Sequence, residues 1–348
     1  MKRTVMTMLM ASLLASPAVI AGDLSLMLYQ NQEQTILTWS NDNTHVLRQE
    51  VYRVNGMSGP QKLIATLTPD ERTYEDADAV PYADYSYQVK AVTDSDKVIE
   101  SNLSNTFADT SAPVLLKASA KSECYAGATI QNKTVDCGGK TIGLSCNGDD
   151  EHQKPVLTLI NATVKNVRIS KNGGSDGIHC KSGNCTLENV IWEDICEDAA
   201  TNNGKKMTII GGVAYNSKNG PGGKPDKVFQ HNSKNSTVEI KGNFTLTGEH
   251  GKLYRSCGNC TDNGGPRYLT INGVKIDAKI GSVAGVNGNF NDRATIRNLK
   301  IKNYQSGKPH VCVVYKGVQH GHESPKVGEK WSNNSTSCNV SKSDVTKL

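Results

Sequence analysis

The 348 residues carry 39 Lys and Arg against 34 Asp and Glu, a formal net charge of +5, too small for charge alone to imply a nucleic-acid partner. With 32 Gly, 5% aromatics and a mean hydropathy of −0.47, the composition suits a β-rich exported protein of about two domains better than a helical bundle. The chain opens with a basic start at Lys2 and Arg3, an apolar stretch from Val5 to Leu14, and the small-residue site Val19-Ile20-Ala21. This predicts a signal peptide over 1–21 and a mature chain beginning at Gly22. The apolar stretch is too short to span a bilayer and no later segment is apolar enough, so a secreted, extracellular protein without a membrane partner is expected.

Residues 22–110 contain no cysteine and alternate apolar with polar, as in Thr35-Ile-Leu-Thr-Trp39, Glu50-Val-Tyr-Arg-Val54 and Tyr85-Ser-Tyr-Gln-Val-Lys-Ala-Val92. Short alternating strands between turn-rich stretches argue for a β-sandwich. These strands resemble a fibronectin type III domain, with Trp39 as core tryptophan and Tyr85 as corner tyrosine. A spacer or binding module is the expected role. Residues 111–114 read as a linker, and 115–348 as a second domain.

In that second domain one pattern recurs: Thr, aliphatic, any, Asn or Gly, then aliphatic or small. It starts at Thr158, Thr186, Thr208, Thr270 and Thr295, with a weaker copy at Thr237. A period in this range signals a solenoid. No stretch has the 3.6-residue period of a helical repeat. A right-handed parallel β-helix is predicted, its coils about 4.8 Å apart so that equivalent side chains stack. Asn at the turns tolerates left-handed backbone and can bond to the next coil. All ten cysteines follow residue 120. Their even number in an exported chain predicts disulfides. Cys180 with Cys185, and Cys257 with Cys260, are candidate short loops. No second CxxC accompanies the latter to build a zinc site.

Charged residues recur at the coil period. From Asp176 the steps to Asp198, Lys227 and Lys252 are 22, 29 and 25 residues, and Arg255 follows three later. Asp176, Glu197 and Asp198 would converge on one face. Like charges that close raise one another's pKa unless a cation compensates. Calcium is the hard, oxygen-seeking cation of extracellular sites. Glu193 and Asp194 are candidates to support the three acids. Clustered cations would depress the pKa of Lys227, which lets a neutral amine act as a base. Arginine stays charged and grips carboxylates bidentately. A gripped uronate has an acidified α-hydrogen, so the arrangement suits β-elimination on an acidic polymer.

Four segments, Asp176-Gly-Ile-His-Cys180, Trp192 to Thr201, Asp226 to His231 and Gly251-Lys-Leu-Tyr-Arg255, resemble polysaccharide lyase family 3, the compact pectate lyases. The resemblance covers 115–340. It implies a parallel β-helix, calcium dependence and cleavage of polygalacturonate or pectin to 4,5-unsaturated products. It implies that Asp176, Glu197 and Asp198 bind Ca2+, and that Lys227, Lys252 and Arg255 form the catalytic and substrate-binding cluster. Lys227 is the favoured base and Arg255 its rival. A monomer is the default for a secreted depolymerase. Two alternatives stand beside this reading. A polygalacturonase-type hydrolase would use paired carboxylates, with His320-Gly-His322 as a faint histidine signature. A non-catalytic pectin-binding protein would retain carbohydrate without product. Lys224 is read as a loop charge with a secondary role as a subsite contact. His179, His231 and Trp192 are read chiefly as packing positions of the solenoid.

Overall fold

The computed structural model describes residues 24–31, 33–80, 83–106, 123–148, 150–331 and 335–348. The expected signal peptide 1–21 and linker 111–114 lie outside the described residues. Alternating strands build an all-β chain in two parts, a fibronectin type III-like sandwich and a parallel β-helix.

In the sandwich, strands Leu24–Gln30, Thr35–Asn41 and Thr73–Glu75 form one antiparallel sheet. Val46–Asn55, Lys62–Leu67, Tyr85–Thr93, Val98–Glu100 and Ser104–Asn105 form the other. Period-two alternation turns Trp39, Val51, Tyr87, Val89 and Ala91 inward, all fully buried. Trp39 donates its indole N–H to Gln49 Oε1 at 2.8 Å. The core tyrosine is Tyr87, whose hydroxyl donates to Asp76 Oδ2 at 2.8 Å. Tyr85, the expected corner residue, has the same parity but opens its strand at the sandwich end. There it is half-buried, with Arg53 over its ring.

From Ala128–Gln131 onward nearly every pairing is parallel, and the strands join one continuous 17-stranded sheet wound into coils. Ile178, Ala200, Phe229, Tyr254, Ala284 and Cys312 stand in register on successive coils and are all buried. Large and small side chains share the column, which fills the narrow interior. Trp192, Phe229 and Phe244 cluster behind it with ring centres 5.3 to 6.4 Å apart. Burying each such ring contributes about 2 kcal/mol. Trp192 is thus core, as expected, and its indole N–H donates to Ala199 O.

The repeat is real but its first copy is displaced. Thr186 stands in register with Thr163 and Thr208, not with Thr158. The asparagine ladder explains this: Asn189 Nδ2 donates to Asn166 Oδ1 at 2.6 Å, and both residues have positive φ. Thr158-Leu-Ile-Asn161 carries the same motif five residues earlier on a different face, where Asn161 bonds to Asn132. The weak copy is also offset, since Glu239 rather than Thr237 follows Thr208. Five disulfides close the helical part: Cys124–Cys137, Cys146–Cys196, Cys180–Cys185, Cys257–Cys260 and Cys312–Cys338. Both expected short loops are among them.

The sandwich is seated on the helix rather than tethered beside it. Met27, Tyr29 and Ile36 pack with Ile191 and Val213 in one buried cluster. Polar bonds frame that cluster: Arg168 Nη1 donates to Leu28 O, Gly212 N to Thr38 Oγ1, and Asn243 Nδ2 to Glu71 Oε1. No described helix is long and apolar enough to cross a membrane.

Candidate active site

The position two residues ahead of the buried column carries the charged row. On successive coils it is occupied by Asp176, Asp198, Lys227, Lys252, Ser282 and His310, and Lys227 pairs directly with Lys252. Four of the six expected site residues are therefore stacked in one row. Gly177 lets the first coil press home: a Cβ there would lie 2.2 Å from Ala199 O, and its φ is +50°. Glu197 sits beside Asp198, and Arg255 lies three residues beyond Lys252 on the same strand.

Ligand oxygens of Asp176, Glu197 and Asp198 all lie within 4.8 Å of one another. Glu197 and Asp198 are 3% exposed. Burial pushes Glu197 up to about 7, reinforced by Asp176 and opposed by Lys227. Burial raises Asp198 as well. Asp198 Oδ1 is buried without a hydrogen-bond partner. A buried oxygen that accepts no hydrogen bond, in a three-carboxylate cradle, fits a hard, oxygen-seeking cation. His179 Nε2 stands 2.9 Å from Asp176 Oδ2, beside the cradle rather than in it.

Lys227 reaches back into this cradle. Its Nζ lies 3.1 Å from Glu197 Oε1 and 3.4 Å from Asp198 Oδ1. Burial works to lower its pKa, yet Asp198, Glu197 and Glu151 together raise it above the ordinary lysine value. The expectation that neighbouring cations depress Lys227 is thereby corrected: its nearest charges are carboxylates. Lys252 pairs with Asp226 Oδ1 at 2.5 Å. Arg255 is 7% exposed, and burial lowers its pKa.

Other candidates separate from the site. Glu193 holds Arg168 at the domain seam, and Asp194 accepts the Ser217 N–H, so neither touches the three acids. Lys224 pairs with Glu249. His231 is buried between the Tyr254 hydroxyl and Ser236 Oγ, a packing position. His320 and His322 sit exposed on a loop.

Two groups of residues were missed. Glu151, 3.9 Å from Lys227 Nζ, lies on an acidic loop that the Cys146–Cys196 disulfide fastens beside Glu197. Loops carry no period, so spacing could not reveal it. Asn287 and Tyr315, which touch Arg255, stand in register one coil apart. The coil step from Arg255 leads to Gly285 and Val313, two residues short of them, so spacing alone does not single them out.

The profile of the pectate lyase family matches residues 112–322. Pectate lyase H of Emericella nidulans is 40% identical over 209 residues, covering 57% of this chain and 72% of its own. Pectate lyase Pel3 from Pectobacterium carotovorum is 55% identical with a TM-score of 0.88, covering 94% of this chain and 100% of that one. Pectate lyase PelI from Erwinia chrysanthemi in complex with tetragalacturonic acid is 53% identical with a TM-score of 0.83, again over 94% and 100%. A parallel β-helix with stacked acids and bases, matched over most of its length by these enzymes, belongs to the pectate lyase family, and so does this chain.

Proposed function

We propose that this enzyme is a secreted, calcium-dependent lyase of polysaccharide lyase family 3 that cleaves polygalacturonate by β-elimination. The observation that carries the reading is the juxtaposition of a three-carboxylate cradle with Lys227, in register with Lys252 and followed by Arg255. The division we propose is a signal over 1–21, a sandwich over 22–110, a linker over 111–114 and a catalytic helix over 115–348.

Asp176, Glu197 and Asp198 would hold the ion. When bound, calcium supplies the positive charge that Lys227 otherwise provides to the buried acids. Lys252 and Arg255 would bind a uronate carboxylate and stabilise the charge that develops on it. Lys227, neutral once relieved of the acids, would accept the proton from C5. The electron pair of that C–H bond becomes the C4–C5 double bond as the C4–O bond breaks. The departing oxygen takes up a proton, and no water is consumed. Lys227 is the base in this reading because it lies between the acids and the carboxylate-binding cations, whereas a guanidinium such as Arg255 keeps its charge and binds carboxylates. Polygalacturonate incubated with the enzyme should yield unsaturated ends when calcium is present and none in excess chelator. Chelator-resistant release of saturated ends would defeat the proposal.

A further inference from the structure

Arg255 differs from the two lysines beside it. Lys227 and Lys252 each have a carboxylate partner, whereas no carboxylate lies within ion-pair distance of Arg255 among the described residues. Neutral acceptors hold it instead. Nη1 donates to Ser256 O at 2.7 Å and to Asn287 Oδ1 at 2.9 Å, and Nη2 donates to Ser324 Oγ at 2.9 Å. The guanidinium carbon stands 4.0 Å above the centre of the Tyr315 ring.

These partners are themselves fixed. Asn287 is fully buried and donates its Nδ2 to Cys257 O at 2.8 Å, which turns its Oδ1 toward the arginine. Its backbone N–H is tied to Asp292 Oδ2. The Ser324 hydroxyl donates to Lys316 O at 2.8 Å, so it offers Arg255 only lone pairs. Two glycines make room. A Cβ at Gly258 would lie 2.6 Å from Nη2, and one at Gly285 would lie 2.8 Å from Arg255 Cδ and 3.1 Å from Tyr315 Cε2.

A guanidinium has five N–H donors. Both on Nη1 and one on Nη2 are used, which leaves the Nε–H and one Nη2–H. Those are donors that a carboxylate takes bidentately. Holding the cation with neutral acceptors and a ring face orients it without quenching its charge, while burial strengthens its attraction for an incoming anion.

We infer that Tyr315, Asn287 and Ser324 are positioning residues that aim Arg255 at a substrate uronate carboxylate. The exposed 316–325 loop, with its two histidines, thereby acquires a role as the carrier of Ser324. The inference rests on the proposed contact between Arg255 and the substrate.

The test compares steady-state kinetics on polygalacturonate with thermal unfolding for Tyr315→Leu, Tyr315→Phe and Ser324→Ala. Each is made in the native and in the Arg255→Lys background. Tyr315→Leu and Ser324→Ala should each lower kcat/KM about tenfold, the scale of a lost bond to a charged group. Tyr315→Phe should stay within about twofold, and in the Arg255→Lys background all three should change kcat/KM by less than about twofold. Losses of equal size in both backgrounds, or native kcat/KM in Ser324→Ala, would overturn the inference. Should Tyr315→Leu not fold, the half-buried Ser324→Ala still decides. If Arg255→Lys itself keeps native kcat/KM, the proposed substrate contact fails first, an outcome distinct from silent Tyr315 and Ser324 variants beside an impaired Arg255→Lys.

Discussion

Lys227 Nζ donates to Glu197 Oε1 at 3.1 Å across two neighbouring coils, both partners buried. The same amine stands 3.4 Å from Asp198. One lysine thus compensates two acids that burial would otherwise keep protonated. Lys227→Ala should abolish turnover, by at least about a thousandfold, the scale of a lost general base. Without calcium it should also lose about 3 kcal/mol of stability, because breaking a buried pair leaves uncompensated charge. Calcium should restore most of that stability and none of the activity, as read by thermal unfolding and rate on one preparation.

Calcium binding should depend on pH in a definite sense. Glu197 is pushed up to about 7, and Asp198 is raised too. A raised carboxyl holds its proton to higher pH, so the ion must displace it below that point. Affinity should therefore fall as pH drops below about 7, by up to tenfold per pH unit for each proton displaced. Calorimetry in buffers of different ionisation enthalpy would reveal the proton release. Affinity constant between pH 6 and 8 would contradict the assignment of these acids as ligands.

Acid should destabilise the helix through two histidines. Burial lowers His231 to about 3 and His250 to about 4. Each is neutral in the fold but takes a proton near pH 6.5 when unfolded. Stability is thus complete above about pH 6.5 and is lost as pH falls toward the folded values. The loss is about 3 kcal/mol per histidine at pH 4. Denaturant unfolding at pH 7 and pH 4.5 measures it, and His231→Gln should flatten the slope.

The sandwich should be separable from the chemistry. Ile36 packs with Ile191 and Val213 at the seam, in a cluster that contains none of the row residues. Val213→Asp buries an unpaired charge there. Unfolding should then split into two transitions, with the sandwich melting first, while kcat stays within about twofold. An equal loss of kcat would show that the sandwich shapes the site.

Much of this was legible because a solenoid converts sequence period into spatial coincidence. Steps of 22, 29 and 25 residues sufficed to bring Asp176, Asp198, Lys227 and Lys252 into one row. The exact register was not legible. Thr158-Leu-Ile-Asn161 and the Thr163-to-Asn166 segment both fit the motif, and only the Asn189 to Asn166 bond chooses between them. Charge environment was also hidden. In the row Lys227 stands between Asp198 and Lys252, and only the course of its side chain, back to the acids, decides which charge governs it. Glu151 reaches the site by a disulfide-fastened loop, a route that period cannot encode.

The central claim is elimination at a calcium-carrying cradle with Lys227 as base. Ultraviolet absorbance during incubation with polygalacturonate, with calcium and then with excess chelator, addresses it most directly. We expect a calcium-dependent rise in the native enzyme and none in Lys227→Ala at saturating calcium. Reducing ends that accumulate without absorbance, or a full rise in Lys227→Ala, would contradict the account.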